Sequence, residues 1–443
     1  MGTCHTKEVS APNTQGLIND VPGSPTKKKS SSKLFRFRTT SIKNKEGFKN
    51  SELIHRVYRI LDPIGKGSFG EVRKAVHLKT GKLRAIKIIK FDLKSNTDRK
   101  EIVSEIMMLK DLDHPNIVKI IEYFESSNCL FIVMELIEGK PLIEYIIRNM
   151  KSLSQANIAA ILTQILSAMA YLHSKSIVHR DIKSENVLFD GKVATLVDFG
   201  LSRNLKNKRG FEEVEGTALY MAPEVIKSSG TEKGDIWACG VMFYILVSGS
   251  FPFQGANSME IQKKIENNEL TVPFGQIKGM SPNPLDLLSQ MLKPNPKQRI
   301  SAAQALKHPF LVSNKVEVDV RSLQNTIGNL EQYVYKSHLE QAIHIFFSDM
   351  FVAQNEEAEL INIFRDIDTD NSGSISKEEF RIALTKAGNI YSDEEINQMF
   401  ARIDLDGSGQ ISFQEYKMAT VDRNRLMSDQ NIDIIFKLFD HVF

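Results

Sequence analysis

Two stretches of the sequence place oxygen donors at the intervals a large divalent cation demands. The first runs from Asp368 through Asp370, Ser372 and Ser374 to Glu379, the second from Asp404 through Asp406, Ser408 and Gln410 to Glu415. Ca²⁺ takes about seven oxygens. A twelve-residue loop supplies them from side chains at positions 1, 3 and 5, a backbone carbonyl at 7, position 9 through water and a bidentate Glu at 12. In that scheme Ser374 and Gln410 give carbonyls, while Gly373 and Gly409 permit the sharp turn at position 6. Ile375 and Ile411 are spaced to join the loops through a short β-bridge. One such loop could be coincidence; two, flanked by helical apolar patterns, predict a paired calcium site. Three carboxylates per loop predict a sensor affinity of roughly 10⁻⁷ to 10⁻⁵ M, with buffering as the other use. The loops start 36 positions apart, and Asp440 stands 36 further on, so a third unit reads as cut short before Phe443.

A second group of residues could handle phosphate. Gly65, Lys66, Gly67, Ser68, Phe69 and Gly70, followed by Glu71 and Val72, form a glycine-rich loop whose N–H groups can approach phosphate closely. Alone, it fits a dinucleotide turn or a plain tight loop equally well. A dinucleotide turn opens a helix at its third glycine, whereas residues 71–76 read as a strand. Further along, Lys87 stands in the β-branched run Ala85-Ile86-Lys87-Ile88, and Glu105 lies in an amphipathic stretch ahead of His114-Pro115-Asn116-Ile117. Then come His179-Arg180-Asp181-Ile182-Lys183, with Asn186 just beyond, Asp198-Phe199-Gly200 and Ala222-Pro223-Glu224. Any one of these tripeptides could be chance. In this order and at these separations they match the protein-kinase signature set.

Residues 58–310 therefore resemble the protein-kinase family, and the resemblance implies a bilobal fold and a set of roles. Lys87 would hold the α- and β-phosphates of ATP and pair with Glu105. Asn186 and Asp198 would hold Mg²⁺. Asp181 would take the proton from the substrate hydroxyl, and Lys183 resembles the γ-phosphate lysine of serine/threonine kinases. Thr217, in Gly216-Thr217-Ala218, fits the same substrate class. Ile64, the glycine-rich loop, Val72, Ala85, Met134 as gatekeeper, Glu135 and Leu136 as hinge, and Leu188 as floor would surround the nucleotide. Glu224 and Arg299 would form a structural ion pair. Two stretches depart from the pattern. Gly139-Lys140-Pro141 replaces a segment that often carries a substrate-reading Glu. Residues 204–215 contain no Ser, Thr or Tyr but do contain Glu212, Glu213 and Glu215. A carboxylate there could stand in for phosphate by pairing with Arg180, or these could be solvated glutamates; activity of the unphosphorylated protein separates the two.

A kinase domain, a helical junction and calcium loops on one chain resemble the calcium-dependent protein kinases of plants and protists. The expected class is α+β, a bilobal protein kinase fold followed by an all-α EF-hand domain. The expected parts are a basic tail (1–50), the kinase (56–310), a helical junction (311–352), an EF-hand pair (353–420) and the start of a third EF-hand (421–443). The resemblance implies that the junction blocks the substrate groove at low Ca²⁺ and is pulled away when Ca²⁺ binds. Leu339, Ile343, Phe346, Phe347 and Met350 recur at helical spacing, as a ligand for an EF-hand groove or as a packing helix on the kinase. Such junctions are commonly basic, but residues 327–352 hold only Lys336, so the block would be steric or absent. The rival readings are a kinase whose EF-hands do not control it and a silent calcium-sensing scaffold; intact Lys87, Asp181, Asn186 and Asp198 argue against the scaffold.

Charge is split along the chain. Residues 1–50 hold ten Lys/Arg against three Asp/Glu, and residues 353–420 hold six against fourteen. The basic excess sits in a Ser-rich tail rather than a folded patch, so nucleic acid is not an expected partner. Three cysteines (Cys4, Cys129, Cys239) form neither a disulfide framework nor a zinc site, which favours a reducing compartment. Met1-Gly2-Thr3-Cys4-His5-Thr6 fits a myristoylation pattern on Gly2, with Cys4 placed for palmitate and a basic run from Lys27 to Arg38. One acyl chain binds membranes only marginally, and both second signals are present. The expectation is a cytoplasmic, membrane-associated monomer that acts on protein Ser/Thr.

Overall fold

The computed structural model describes residues 51–439, apart from 68–69, 91–102, 104–105, 127, 150–151, 199–217, 228–230, 278, 316–318, 335–337 and 353. The tail with Gly2 and Cys4, the loop tip Ser68 and Phe69, Glu105, the segment with Glu212, Glu213 and Glu215, and Asp440 all lie outside the described residues.

The β-branched runs behind the glycine-rich loop pair as a five-stranded antiparallel sheet in the order β1-β2-β3-β5-β4. The strands are β1 (Tyr58–Gly67), β2 (Gly70–His77), β3 (Leu83–Lys90), β4 (Ile120–Glu125) and β5 (Cys129–Glu135). One face buries Ala75, Ile86, Phe124, Phe131 and Val133 together with Ile54 from a short helix, α1 (Ser51–Val57). Ile54 of α1 thus packs with the sheet although it lies just ahead of position 56.

After the hinge the pattern turns helical. The long helix α2 (Gln155–Ser174) starts at a Ser154–Asn157 capping box and buries residues on every side. Its 20 residues are long and apolar enough to cross a membrane, but most of that surface is covered by the lobe's core, as a central helix requires. Beside it runs α3 (Glu232–Ser248), capped by Thr231 and ended by Gly249 in the left-handed conformation. A small sheet of β6 (Lys140–Pro141), β7 (Val187–Phe189) and β8 (Ala194–Leu196) lies between the lobes' elements in sequence and carries Leu188.

Beyond the kinase lobe come α4 (Val320–Gln332) and α5 (His338–Phe351), then two helix–loop–helix units. These are α6 (Gln354–Ile367) with α7 (Lys377–Lys386), and α8 (Asp393–Ile403) with α9 (Phe413–Thr420). A final helix, α10 (Asp429–Phe439), follows. The loops pair through β9 (Ser374–Ser376) and β10 (Gln410–Ser412), with Ile375 opposite Ile411 as expected. Leu323, Ile327 and Leu330 of α4 and Phe347 of α5 share one core with Phe364, Phe380, Phe400 and Tyr416 of the paired units. α4 thus packs as an extra helix of the calcium domain, which the spacing of Leu323, Ile327 and Leu330 could have announced.

The ion pair expected between Glu224 and Arg299 is present and buried. Arg299 Nη1 and Nη2 lie 2.6 and 2.9 Å from the Glu224 oxygens, and its guanidinium stacks 5.0 Å from the Trp237 ring. Further donors go to the Lys233, Lys293 and Pro294 carbonyls. Replacing Arg299 by Ala would strand those acceptors and the Glu224 charge. Arg299→Ala is expected to lower stability by about 3–5 kcal/mol, seen as an earlier urea midpoint by circular dichroism.

Candidate active site and calcium loops

The glycine-rich turn joins β1 to β2 where the backbone must pass very close to β3. A Cβ at Gly70, φ +150°, would stand 1.9 Å from the Ile88 carbonyl oxygen, so only glycine fits. The ladder then sets the nucleotide wall by register. Ala85 pairs with Met134 across β3 and β5, and Val72 pairs with Lys87 across β2 and β3. Ala85, Val72, Met134, Leu188 and the exposed Ile64 are the apolar residues expected around a nucleotide. The Glu135 side chain is turned away from any adenine role, since its Oε1 accepts the Lys119 N–H at 2.8 Å. Burial pushes its carboxyl up to about 7. The Glu135 backbone N–H is likewise taken, donating to the Lys119 carbonyl at 3.1 Å.

Lys87 is 5% exposed, yet its ammonium is paired, with Asp198 Oδ1. That contact joins the β-rich lobe to the segment after β8. Glu105, the other expected partner, lies outside the described residues. Asp198 has φ +61° and Arg180 φ +69°, conformations a non-glycine residue holds only where its surroundings impose them. The imposing group near Arg180 is Asp235, at the start of α3. Its two oxygens accept the N–H groups of His179 and Arg180 at 2.9 Å each, and Oδ2 lies 2.9 Å from His173 Nε2. Sequence reasoning missed Asp235; a carboxylate at the head of an apolar helix was the available signal.

On the loop so fixed, Lys183 Nζ donates to both Asp181 oxygens at 3.0 and 2.9 Å. Asn186 Nδ2 donates to the Asp181 carbonyl at 2.8 Å and to its Oδ2 at 2.9 Å. This leaves the Asn186 Oδ1 as the atom a cation can use, alongside the Asp198 carboxylate. The structure thus gathers Asp181, Lys183 and Asn186 in one cluster and pairs Lys87 with Asp198, whose neighbour Val197 donates its N–H to the Asn186 carbonyl at 2.8 Å. Two ammonium groups, two carboxylates and a carboxamide oxygen suit Mg²⁺ and a polyphosphate.

In the calcium loops, one oxygen each from Asp368, Asp370 and Glu379 lies within 4.8 Å of the others, and Asp404, Asp406 and Glu415 meet the same limit. Backbone N–H groups fold each loop around its first carboxylate. Gly373 donates to Asp368 and Gly409 to Asp404, each at 2.9 Å, and the two glycines have φ +83° and +82°. Ser372 and Ser408 Oγ turn toward the Ser374 and Gln410 carbonyls at 3.0 and 2.8 Å, grouping positions 5 and 7. Glu379 and Glu415 are held by capping boxes with Ser376 and Ser412. Burial pushes the Asp368 carboxyl well above its ordinary range and Glu415 up to about 7. Buried carboxylates gathered this closely fit a divalent cation, which supplies the missing positive charge.

Fold and site together define a protein kinase joined to an EF-hand pair. A family model described as the protein kinase domain matches residues 58–311, and an EF-hand domain pair matches 357–421. "Calcium-dependent protein kinase 4" of Plasmodium berghei is 35% identical over 382 residues, covering 81% of this chain and 72% of its own length. The Plasmodium falciparum protein of the same name is 35% identical over 357 residues, 78% of this chain and 67% of its own. The crystal structure of Rad53 1-466 in complex with AMP-PNP is 30% identical, with a TM-score of 0.50 over 58% of this chain and 66% of that one. The chain belongs to the calcium-dependent protein kinase family. It is a serine/threonine protein kinase that uses ATP with Mg²⁺ and binds Ca²⁺ through its EF-hands.

The loop geometry predicts two calcium sites per chain by calorimetric titration. Glu379→Gln and Glu415→Gln are each expected to remove one site, because position 12 supplies two of the ligand oxygens.

Proposed function

We propose that Asp181, Lys183, Lys87, Asn186 and Asp198 carry out transfer of the ATP γ-phosphoryl group to a protein Ser or Thr hydroxyl. The observation that carries this reading is the Asp181–Lys183–Asn186 cluster on the loop fixed by Asp235, joined through Val197 to the residue that pairs with Lys87. Asp181 orients the hydroxyl and takes its proton as the oxygen bonds to the γ-phosphorus and the bond to the β-phosphate oxygen breaks, releasing ADP. Lys183 stabilises the charge on the transferring group, and Lys87 holds the remaining phosphates. Asn186 and Asp198 would hold Mg²⁺, which would neutralise phosphate charge. Ile64, the glycine-rich loop, Val72, Ala85, Met134, Leu136 and Leu188 enclose the nucleotide.

Calcium control works through the position of the EF-hand pair. Among the described residues, the contacts that α5 and the EF-hand pair make with the kinase include the turn after β2, β3, the hinge, residues 113–114 and α2. Lys82 Nζ donates to the Asp349 carbonyl at 2.5 Å, Gln414 N to Asp113 Oδ2 at 2.8 Å and Ser167 Oγ to the Asn371 carbonyl at 3.3 Å. Gly373 sits against the His114 ring, where a Cβ would come within 2.4 Å. We read this arrangement as the calcium-loaded one, because residues of the first calcium loop, Asn371 and Gly373, take part in the contacts. Without Ca²⁺ the junction helices α4 and α5 leave this position together with the EF-hand pair whose core they share, and obstruct substrate. Phosphorylation of a generic protein substrate is expected only with micromolar free Ca²⁺, with Asp181→Ala as the blank. Equal rates in EGTA would leave a kinase that the EF-hands do not control, and no rate in either condition would leave a calcium-sensing scaffold.

Gly2 takes myristate and Cys4 palmitate, and with the basic run from Lys27 to Arg38 they bring the enzyme to a membrane surface. The support is the sequence pattern and the need for two signals. Gly2→Ala is expected to move the protein from the membrane to the soluble fraction; equal recovery would refute the anchor.

A further inference from the structure

Behind the hinge, the calcium-binding half of the chain meets the nucleotide-binding half through a cluster of charges. Lys417 on α9 is only 9% exposed. Its ammonium lies 2.9 Å from Asp349 of α5 and 3.0 Å from Glu357 of α6. Asp349 continues the cluster into the kinase by accepting Lys82 at its backbone carbonyl. Arg84 reaches Met350 Sδ at 3.5 Å and stands directly opposite Glu135 in the β3–β5 ladder. A cavity of about 120 Å³ is lined on one side by residues 135–139 and on the other by Asp349, Glu357 and Lys417. The peptide groups that would receive adenine thus have the calcium domain as their backing.

The same helix also holds a calcium ligand. Glu415, position 12 of the second loop, lies two residues before Lys417 on α9, which spans only eight residues. Immediately before Glu415, Gln414 donates its backbone N–H to Asp113 and its side-chain Nε2 to Asp349 Oδ2 at 3.2 Å. A cation that draws Glu415 inward must therefore move Gln414 and Lys417 with it, because one helical turn is rigid. The Lys417 ammonium is matched by two carboxylates from two different helices, so the cluster is complete only when α5, α6 and α9 are in this arrangement.

We propose that Lys417 is a positioning residue for the nucleotide: with Asp349 and Glu357 it clamps the calcium domain to the back of the hinge, so that Ca²⁺ at the second loop tightens ATP or ADP binding. This rests on the reading above that the described arrangement is the calcium-loaded one. Coupling between binding sites is reciprocal, so nucleotide must tighten Ca²⁺ by the same factor.

The experiment measures Mg·ADP affinity of the full chain by calorimetry, in EGTA and in saturating Ca²⁺, with no turnover involved. Wild type is expected to bind Mg·ADP roughly fivefold or more tightly with Ca²⁺, the lower end of ordinary allosteric coupling. Lys417→Met is expected to abolish the difference while both loops still fill with Ca²⁺, and Lys417→Arg to retain most of it. Because Lys417→Met leaves two buried carboxylates unpaired, the triple variant Lys417→Met, Asp349→Asn, Glu357→Gln is measured too, with the same loss of coupling expected. Coupling that survives in both Lys417→Met and the triple variant overturns the proposal. So does a wild-type affinity that ignores Ca²⁺ while kinase activity responds to it, an outcome that leaves calcium control standing. Calcium-coupled ADP affinity with calcium-independent activity would refute the control reading and keep the clamp.

Discussion

The Asp235 carboxylate is 2% exposed and accepts two consecutive backbone N–H groups, those of His179 and Arg180. A buried carboxylate without partners is costly, and hydrogen bonds to a charged group are worth about 1.5–3 kcal/mol each. That energy is what can hold Arg180 at a positive φ. Once Arg180 is fixed there, Asp181 emerges from the loop facing Lys183 and Asn186. The catalytic constellation is thus a consequence of a contact between a helix start in the C-terminal lobe and a loop more than fifty residues earlier.

The two halves of the chain use charge differently. In the kinase half, opposite charges are paired, Lys87 with Asp198 and Lys183 with Asp181. In the calcium half, like charges are crowded together and partly buried, and their repulsion is relieved by a cation. An EF-hand pair needs a shared apolar core to hold such loops in register. Here α4 completes it with Leu323, Ile327 and Leu330, beside the Ile375–Ile411 bridge. The segment that links the domains is therefore also part of the calcium domain's core, and the two cannot rearrange independently.

Local chemistry made much of this readable from the residues. The calcium loops are contiguous, and their oxygens, turn glycines and capping serines all lie within twelve positions. The glycine-rich loop, the lysine strand and the Asp181 and Asp198 tripeptides are equally local, and their order along the chain is itself informative. Glu224 and Arg299 could be paired only through the family resemblance. Asp235 and α4 escaped because their partners are far away in sequence.

The sequence by itself determined the parts: the kinase lobes, the two calcium loops and the identities of the reacting groups, since each is set by short-range spacing and periodicity. Only the tertiary structure decided where the parts stand against one another. Lys417 reads as an ordinary helical lysine until α5 and α6 bring Asp349 and Glu357 to within 3.0 Å of it, and the Glu135 side chain has no role in the sequence until Lys119 claims it. Burial and long-range pairing depend on the sum of packing over the whole chain, and no local window contains that sum.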